Sequence, residues 1–569
     1  MMQTKTIIEE IVKSSGKSRE SLMPVMQEVV RQKNYISEED ILEIAEELDL
    51  SPAEIYGTAT FYTFMETKKM GKYVIRLCRS IIAVMKGKDE IEETIVEMLQ
   101  IKPGQTTSDN MFTLLETNDI GWSDKEPSML INEDLFIELT PEKTTEIIKA
   151  YISGDEKLID SLQTKSIISD KSCSNNNQSN CGELKGFVKK TDMIFNRDCD
   201  SLQKLSAAIK IDKDNFISEL IESGLRGRGG AGFPTGLKWK FAKSAQSNEK
   251  YVICNADEGE PGTFKDRVIL QEVPCKVFAG MALCGHIIGA RKAYLYLRGE
   301  YSWMANDLRA KAEESNKAFA SLGIDFKIEI KMGSGAYVCG EETALIESME
   351  GKRGEPRNKP PYPASAGFRD KPTVINNVET FIYALEIAGI GAQKFKSMGT
   401  VDSAGSKLFS VSGDTPKPGV YELELGMTLA DFVEEFGDGD TKAVQVGGAS
   451  GFCVPRRKFK DTIIGFEGIP TGGSMMLFNS HRSMYNVLHN YLEFFCEESC
   501  GQCTPCRVGC QQLLKGVEAI KSKQKSDKYL EDLMELSDTM RIASKCGLGQ
   551  SVANGFKSVV NEFKEEIIY

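Results

Sequence analysis

A chain of 569 residues carries 70 Lys and Arg against 83 Asp and Glu, a formal net charge of -13. That length predicts several domains, and the acidic balance, without a basic tail or cationic run, argues against a nucleic-acid partner. Fifteen cysteines without a secretion signal favour reduced thiols and metal ligation over disulfides.

The opening Met-Met-Gln-Thr-Lys leads into an amphipathic pattern, not a signal peptide. The apolar run Val277 to Ala290 is too short, and too interrupted by His286, to span a bilayer. A soluble, cytoplasmic redox protein is the expectation. Residues 1–70 read as a helical bundle: Ser37-Glu38-Glu39-Asp40 is a helix start, and Ile41, Ile44, Ala45 and Leu48 recur at helical spacing. From residue 71 to 155 the pattern turns α/β, with strands at Tyr73–Leu77, Met111–Leu115 and Ser128–Ile131 and a helix at Ile91–Leu99. Residues 156–190 include a polar linker whose Cys173 and Cys181 lack a neighbouring His or Cys to complete a metal site.

The block Ile55 to Tyr62, with Gly71-Lys72-Tyr73 and Lys102 to Thr107, resembles the NuoE-like family of respiratory complex I. That resemblance implies a helical bundle and a thioredoxin-like domain with a [2Fe–2S] cluster. The family's four ligand cysteines fall here on Cys78, Ala83, Asp119 and Ser123. One thiolate cannot hold a two-iron cluster. The expectation is therefore no [2Fe–2S] cluster in the N-terminal domain, which keeps a structural or docking role.

Gly224 to Gly236 contains a G-x-G-x-x-G at Gly227, Gly229 and Gly232, but it follows a helical stretch instead of the strand a dinucleotide fingerprint requires. Its glycines offer unshielded backbone N–H groups for a phosphate or ring, and Lys238 stands downstream to meet negative charge. Tyr251–Cys254 reads as a buried strand ending in Asn255, Asp257, Glu258 and Glu260, where α/β sheets place ligand contacts. A second glycine-rich stretch spans Gly333 to Thr343, followed by Lys359 to Pro363 and Lys371 to Thr380.

Near the C-terminus, Cys500, Cys503 and Cys506 form a C-x2-C-x2-C row, with Cys546 following. Three thiolates at this spacing and a distant fourth suit a [4Fe–4S] cluster; the alternative, a zinc knuckle, usually needs a second C-x2-C or a His pair. Cys453, His481, His489, Cys496 and Cys510 are spare donors that leave a zinc site possible.

These motifs, in order from about Phe216 to Val560, resemble the NuoF-like flavoprotein family. The resemblance implies FMN, NAD(H) and one [4Fe–4S] cluster held by Cys500, Cys503, Cys506 and Cys546. It assigns Gly227, Arg228, Gly229, Gly230 and Lys238 to the FMN phosphate and ribityl groups. Asn255, Asp257, Glu258, Asn376, Asn377 and Thr380 would hold the ribityl chain and ring. Tyr337, Gly340, Glu341 and Glu342 would line the flavin and nicotinamide side, and Phe233, Phe241 and Tyr362 would sandwich the adenine beside Glu260 and Lys359. Glu258, Glu342 and Lys238 are the expected catalytic residues.

The implied fold is multidomain α/β and α+β: helical bundle 1–70, thioredoxin-like domain 71–155, linker 156–190, FMN and NAD(H) domain 191–400, β-grasp module 401–470 without its own ligand, and iron–sulfur helical bundle 471–569. The fused order resembles the diaphorase subunit of cytoplasmic NAD-reducing hydrogenases and formate dehydrogenases. Such a subunit exchanges hydride between NAD(H) and FMN and single electrons with the cluster. Its expected partners are a ferredoxin-like iron–sulfur subunit and a catalytic subunit such as a hydrogenase or formate dehydrogenase. The alternatives are the NAD(H) module of an electron-bifurcating complex and, in another class, a non-catalytic assembly scaffold.

Overall fold

The computed structural model describes residues 4–164, 184–196 and 201–568. Cys173 and Cys181 lie outside the described residues. The chain divides into two compact units, one made of Met1–Ser166, Leu297–Ala305 and Lys331–Arg357, the other of the remainder.

The first unit opens with helices Thr4–Ser15, Leu22–Lys33, Glu38–Leu48 and Pro52–Ala59. Ser37 and Ser51 begin the last two through capping boxes with Asp40 and Glu54, each satisfying two N–H groups that a helix start leaves open. Ile41, Ile44, Ala45 and Leu48 are buried, as their spacing predicts. A mixed five-stranded sheet follows in the order Gln105–Thr106, Phe112–Thr117, Tyr73–Cys78, Met129–Ile131, Asp134–Phe136. Its apolar face, including Ile75, Leu77, Leu114 and Ile131, packs with Ile91 and Ile95 of helix Lys88–Leu99 and with Ile147 and Tyr151 of Pro141–Ser153. The segments from later in the chain join this unit through backbone bonds. Thr63 N–H donates to Gly335 O at 2.9 Å and Phe64 N–H to Ser334 O at 3.0 Å, while Tyr62 OH donates to Lys352 O at 2.8 Å. The two residues after the Ile55–Tyr62 block thus anchor the second glycine-rich stretch.

In the second unit a four-stranded sheet runs Lys327–Met332, Lys292–Leu297, Tyr251–Ala256, Thr373–Asn377. The last two strands are parallel, with Cys254 beside Asn376 and Asn255 beside Asn377. Pro274–Ile288, the apolar run noted above, is a buried core helix. Among the described residues no single helix is long and apolar enough to cross a membrane; Lys265–Glu272 and Pro274–Ile288 qualify only together, bent by 96°.

A second five-stranded sheet has the order Gly419–Glu424, Ser406–Gly413, Ser474–Asn479, Thr441–Val446, Phe452–Pro455, with helix Leu429–Phe436 packed on it. Its middle strand, Ser474–Asn479, begins beyond the expected boundary at residue 470, because both neighbouring strands need it to complete their hydrogen bonding. The end of the expected linker is docked here too. Glu435 accepts backbone N–H groups of Lys185, Gly186 and Phe187, and Glu422 accepts those of Met193 and Ile194. The chain ends in helices Met484–Glu498, Thr504–Lys521, Tyr529–Ala543, Gly547–Glu562 and Lys564–Ile568.

Candidate flavin, nucleotide and iron–sulfur sites

The first glycine turn is closed by Gly227 N–H donating to Phe233 O at 2.9 Å. Gly230 holds φ +119, a left-handed conformation that only glycine adopts without strain, and Gly229 sits so close to Asn377 that an added Cβ would stand 3.2 Å from the Asn377 Cβ. Among the described residues the N–H groups of Gly229, Gly230 and Ala231 have no protein acceptor. Bare N–H groups in consecutive turn residues form an anion nest, so the turn fits the phosphate of FMN.

Arg228 is different. Its backbone N–H donates to Thr380 Oγ1 at 2.9 Å, and its guanidinium is 2% exposed, donating to Ala404 O at 2.8 Å and lying over the Tyr383 ring. The guanidinium is thus a core group of this unit, and burial lowers its pKa.

Lys238, on helix Thr235–Ser244, donates to Ile375 O at 2.9 Å and so lies along the strand carrying Asn376 and Asn377. Asn255 Oδ1 accepts the Asp257 N–H at 3.1 Å in the turn after the neighbouring strand. Glu258 is buried and accepts the N–H groups of Asp266 at 2.8 Å and Arg267 at 3.1 Å, supplying the start of helix Lys265–Glu272 from outside. Burial, reinforced by the charge of Asp266, pushes its carboxyl up to about 7. Its folded-state pKa lies above the ordinary 4.5, so the folded chain holds a proton that the unfolded chain releases as pH rises. Stability from this group is complete below pH 4.5 and declines up to about pH 7. Glu258→Gln should flatten that part of the curve of thermal midpoint against pH, by an amount on the order of 1.4 kcal/mol per pKa unit; an unchanged slope would assign the titration elsewhere.

Glu260 is held by Ser450, whose N–H and Oγ donate to it at 3.0 and 2.6 Å. Phe233, Phe241 and Tyr362 are 45%, 52% and 59% exposed, and Lys359 is exposed beside Tyr362, so three aromatic rings remain available for stacking. In the other unit, Tyr337 and Gly340 lie on a 3-10 turn, and Glu341 caps helix Glu342–Met349 by accepting the N–H groups of Thr343 at 2.9 Å and Ala344 at 3.0 Å. Glu342 follows at the first position of that helix, half-buried.

Five buried residues near these strands were not read as site residues from the sequence. Lys265 pairs with Asp266 at 2.6 Å and Glu379 at 3.1 Å; Lys407 pairs with Glu379 at 3.3 Å. Trp239, wholly buried, donates to Asn376 Oδ1 at 2.9 Å. Burial holds the Lys407 ammonium down to about 7, against the pull of Glu379. For Lys265 and Asp266 the sequence signal is a charged triplet, Lys265-Asp266-Arg267, between apolar neighbours, a pattern shared with solvated helix faces.

At the C-terminus, Cys503 is the N-cap of helix Thr504–Lys521 and Cys546 the N-cap of Gly547–Glu562. Gly549 approaches Cys506 so closely that an added Cβ would stand 2.8 Å from the Cys506 Cβ. The Cys546 thiol is pushed up to about 11 by burial, with Leu548 and Gly549 N–H groups pulling it back and Cys500 and Cys506 adding to the rise. The fold therefore gathers all four cysteines, and two helix N-termini favour negative charge there. Among the described residues no three His, Cys, Asp or Glu are grouped for a single ion; a four-iron cluster is held at its corners, and four reduced thiols are the donors it takes. Of the spare donors, Cys510 Sγ lies 4.0 Å from Cys506 Sγ, and His489 faces Glu518 at 2.9 Å and Glu493 at 3.4 Å. Cys453 is buried in its strand, Cys496 is half-buried near the end of Met484–Glu498, and His481 is exposed.

Fold and site together define an oxidoreductase of the NADH dehydrogenase, or diaphorase, type. Residues 220–385 match the Nuo51 FMN-binding domain, residues 486–569 the NADH-ubiquinone oxidoreductase-F iron-sulfur binding region, and residues 8–152 the thioredoxin-like [2Fe-2S] ferredoxin. The chain is 39% identical to the NAD-reducing hydrogenase HoxS subunit alpha of Cupriavidus necator, over 98% of this chain and 93% of that protein. It belongs to that family of fused NuoE-like and NuoF-like flavoprotein subunits. The NADP-reducing hydrogenase subunit HndC of Solidesulfovibrio fructosivorans is 40% identical over 60% of this chain and 73% of its own length. A crystal structure of NAD+-reducing [NiFe]-hydrogenase in the H2-reduced state superposes with a TM-score of 0.83 at 36% identity, covering 96% of this chain and 91% of the other.

The N-terminal match overturns one expectation. Residues 8–152 belong to a [2Fe-2S] family, which points to a [2Fe–2S] cluster in this domain. The contrary expectation rested on four positions, whereas the match rests on the pattern of the whole domain. At those positions the buried Cys78 thiol donates to Glu126 Oε1 at 2.9 Å, Ala83 is buried, and Ser123 Oγ donates to Asp119 Oδ2 at 2.7 Å. This donor set differs from four thiolates.

Proposed function

We propose that the chain is the NAD(H)-handling subunit of a cytoplasmic hydrogenase complex, passing electrons to or from a ferredoxin-like subunit. The observation that carries this reading is the end-to-end relationship to a hydrogenase alpha subunit, both units included. The chemistry that bound FMN would supply is conversion between a two-electron hydride and single electrons, which a [4Fe–4S] cluster would relay.

The part of this chain is binding and orientation. The N–H groups of Gly229, Gly230 and Ala231, with Lys238, would hold the phosphate. Asn376, with Asn377 beside it, would hold the flavin at the C-terminal edge of the parallel strands, where α/β sheets bind ligands. Phe233, Phe241 and Tyr362 would stack the adenine, and Cys500, Cys503, Cys506 and Cys546 would hold the four-iron cluster. The purified complex should reduce NAD+ with H2 and contain FMN. A complex without a hydrogenase subunit, or unreactive to H2, would refute the assignment.

Glu342 sets the preference for NAD(H). A carboxylate near the cofactor ribose opposes the charge of a 2′-phosphate, and such like-charge contacts discriminate between ligands. Dye reduction should run at least about tenfold faster with NADH than NADPH in kcat/KM, about 1.4 kcal/mol, and Glu342→Gln should narrow the gap. Equal wild-type rates would remove Glu342 from the ribose site.

A further inference from the structure

Asn376 and Asn377 are adjacent in sequence, yet different neighbours fix their carboxamides. Asn377 is enclosed by protein: Oδ1 accepts the Glu379 N–H at 3.0 Å and Lys265 Nζ at 3.2 Å, and Nδ2 donates to Asp266 Oδ2 at 2.6 Å. Asn376 is 5% exposed and takes a single side-chain bond, from Trp239 Nε1 to its Oδ1. An indole N–H can only donate, so the partner atom must be the amide oxygen and the amide NH2 must face away from the indole. Among the described residues that NH2 has no protein acceptor. Trp239 itself cannot swing: it is wholly buried, with the Phe216 ring 6.2 Å away, and the next residue back, Lys238, is tied to Ile375 O.

We propose that Trp239 is a positioning residue for FMN: by holding Oδ1 of Asn376 it presents the Asn376 NH2 as a donor to an acceptor oxygen of the flavin, while Asn377 serves mainly to fix the strand end. This rests on the FMN reading above. Asn376 can then meet a phosphate, ribityl or ring oxygen without the amide turning over when the flavin is absent, so less ordering remains to be done on binding.

The test is FMN affinity, read as quenching of flavin fluorescence on titration into the flavin-depleted full-length chain, with the thermal midpoint alongside. Trp239→Phe keeps an aromatic ring but removes the N–H along with part of the indole, a packing change that the thermal midpoint reads; it should weaken FMN binding about tenfold, the scale of one hydrogen bond. In an Asn376→Ala background the same change should have no further effect on affinity, because the group it orients is gone. Asn376→Asp still accepts from Trp239 but has no NH2, and should weaken binding by at least as much. Equal losses from Trp239→Phe in both backgrounds would make Trp239 a packing residue and overturn the proposal. Should Trp239→Phe fail to fold, Asn376→Asp decides, and FMN binding as tight as wild type overturns it. A wild-type chain that binds no FMN overturns the underlying reading and this inference with it; wild-type binding with additive losses overturns the inference alone.

Discussion

Cys503→Ser should uncouple two activities that the wild-type chain performs together. NADH should still bleach the flavin and reduce a dye that takes electrons directly from it, while transfer to the partner subunit collapses. The physical basis lies in the position of Cys503 at the N-cap of helix Thr504–Lys521. Serine is among the preferred N-cap residues, so the helix start survives the substitution. A serine hydroxyl stays protonated at neutral pH and is a poor iron ligand beside a thiolate. Loss of a direct ligand should exceed the roughly 10–100-fold penalty typical of an outer-shell change. The FMN motifs end near Thr380 and should keep their flavin. Partner reduction at the wild-type rate in Cys503→Ser would take the cluster off the electron path.

Glu379→Ala should cause the largest loss of stability, about 3–5 kcal/mol. Glu379 is fully buried, accepts the Leu408 N–H at 2.8 Å, and lies between Lys265 at 3.1 Å and Lys407 at 3.3 Å. Opposing forces act on it: burial favours the neutral acid, while the two lysines and Arg228 hold it ionised, and the net direction is down. Removing the carboxylate leaves two buried ammonium groups competing for Asp266 and Glu258. Lys407, already held down to about 7, should give up its proton first. Glu379→Ala with Lys407→Met should therefore recover part of the loss, since an apolar replacement carries no buried charge. A thermal midpoint unchanged in the single variant would show that the network contributes nothing net.

Much of the chemistry was legible because it depends on which side chains exist at which intervals. The cysteine row needs only a local turn to bring three thiols together, and Cys503 at a helix start is that turn. Ser37 and Ser51 marked helix starts because a cap acts within three residues. The glycines of 227–230 read as a ligand turn for the same local reason. The N-terminal ligand count misled for the converse reason: family membership is carried by a whole domain's pattern, not by four positions.

What sequence could not reveal were the partners a charged or polar group meets across the fold. Lys265-Asp266-Arg267 reads as a solvated face, yet Lys265 is 1% exposed because strand Thr373–Asn377, helix Val378–Ile390 and strand Ser406–Gly413 close over it. Arg228 stands in the glycine turn, yet its guanidinium meets Ala404 O, far along the chain. The same holds for Trp239, whose one polar atom acquires meaning only when a strand begun 134 residues later (Thr373 against Trp239) sets Asn376 beside it. By itself the sequence determined the donor groups, the FMN, NAD(H) and [4Fe–4S] classes and the helix starts, since these follow from composition and short spacing. Only the tertiary structure decided which amide face, which buried charge and which glycine N–H stays open, because hydrogen-bond partners in a buried site come from segments whose proximity no local interval encodes.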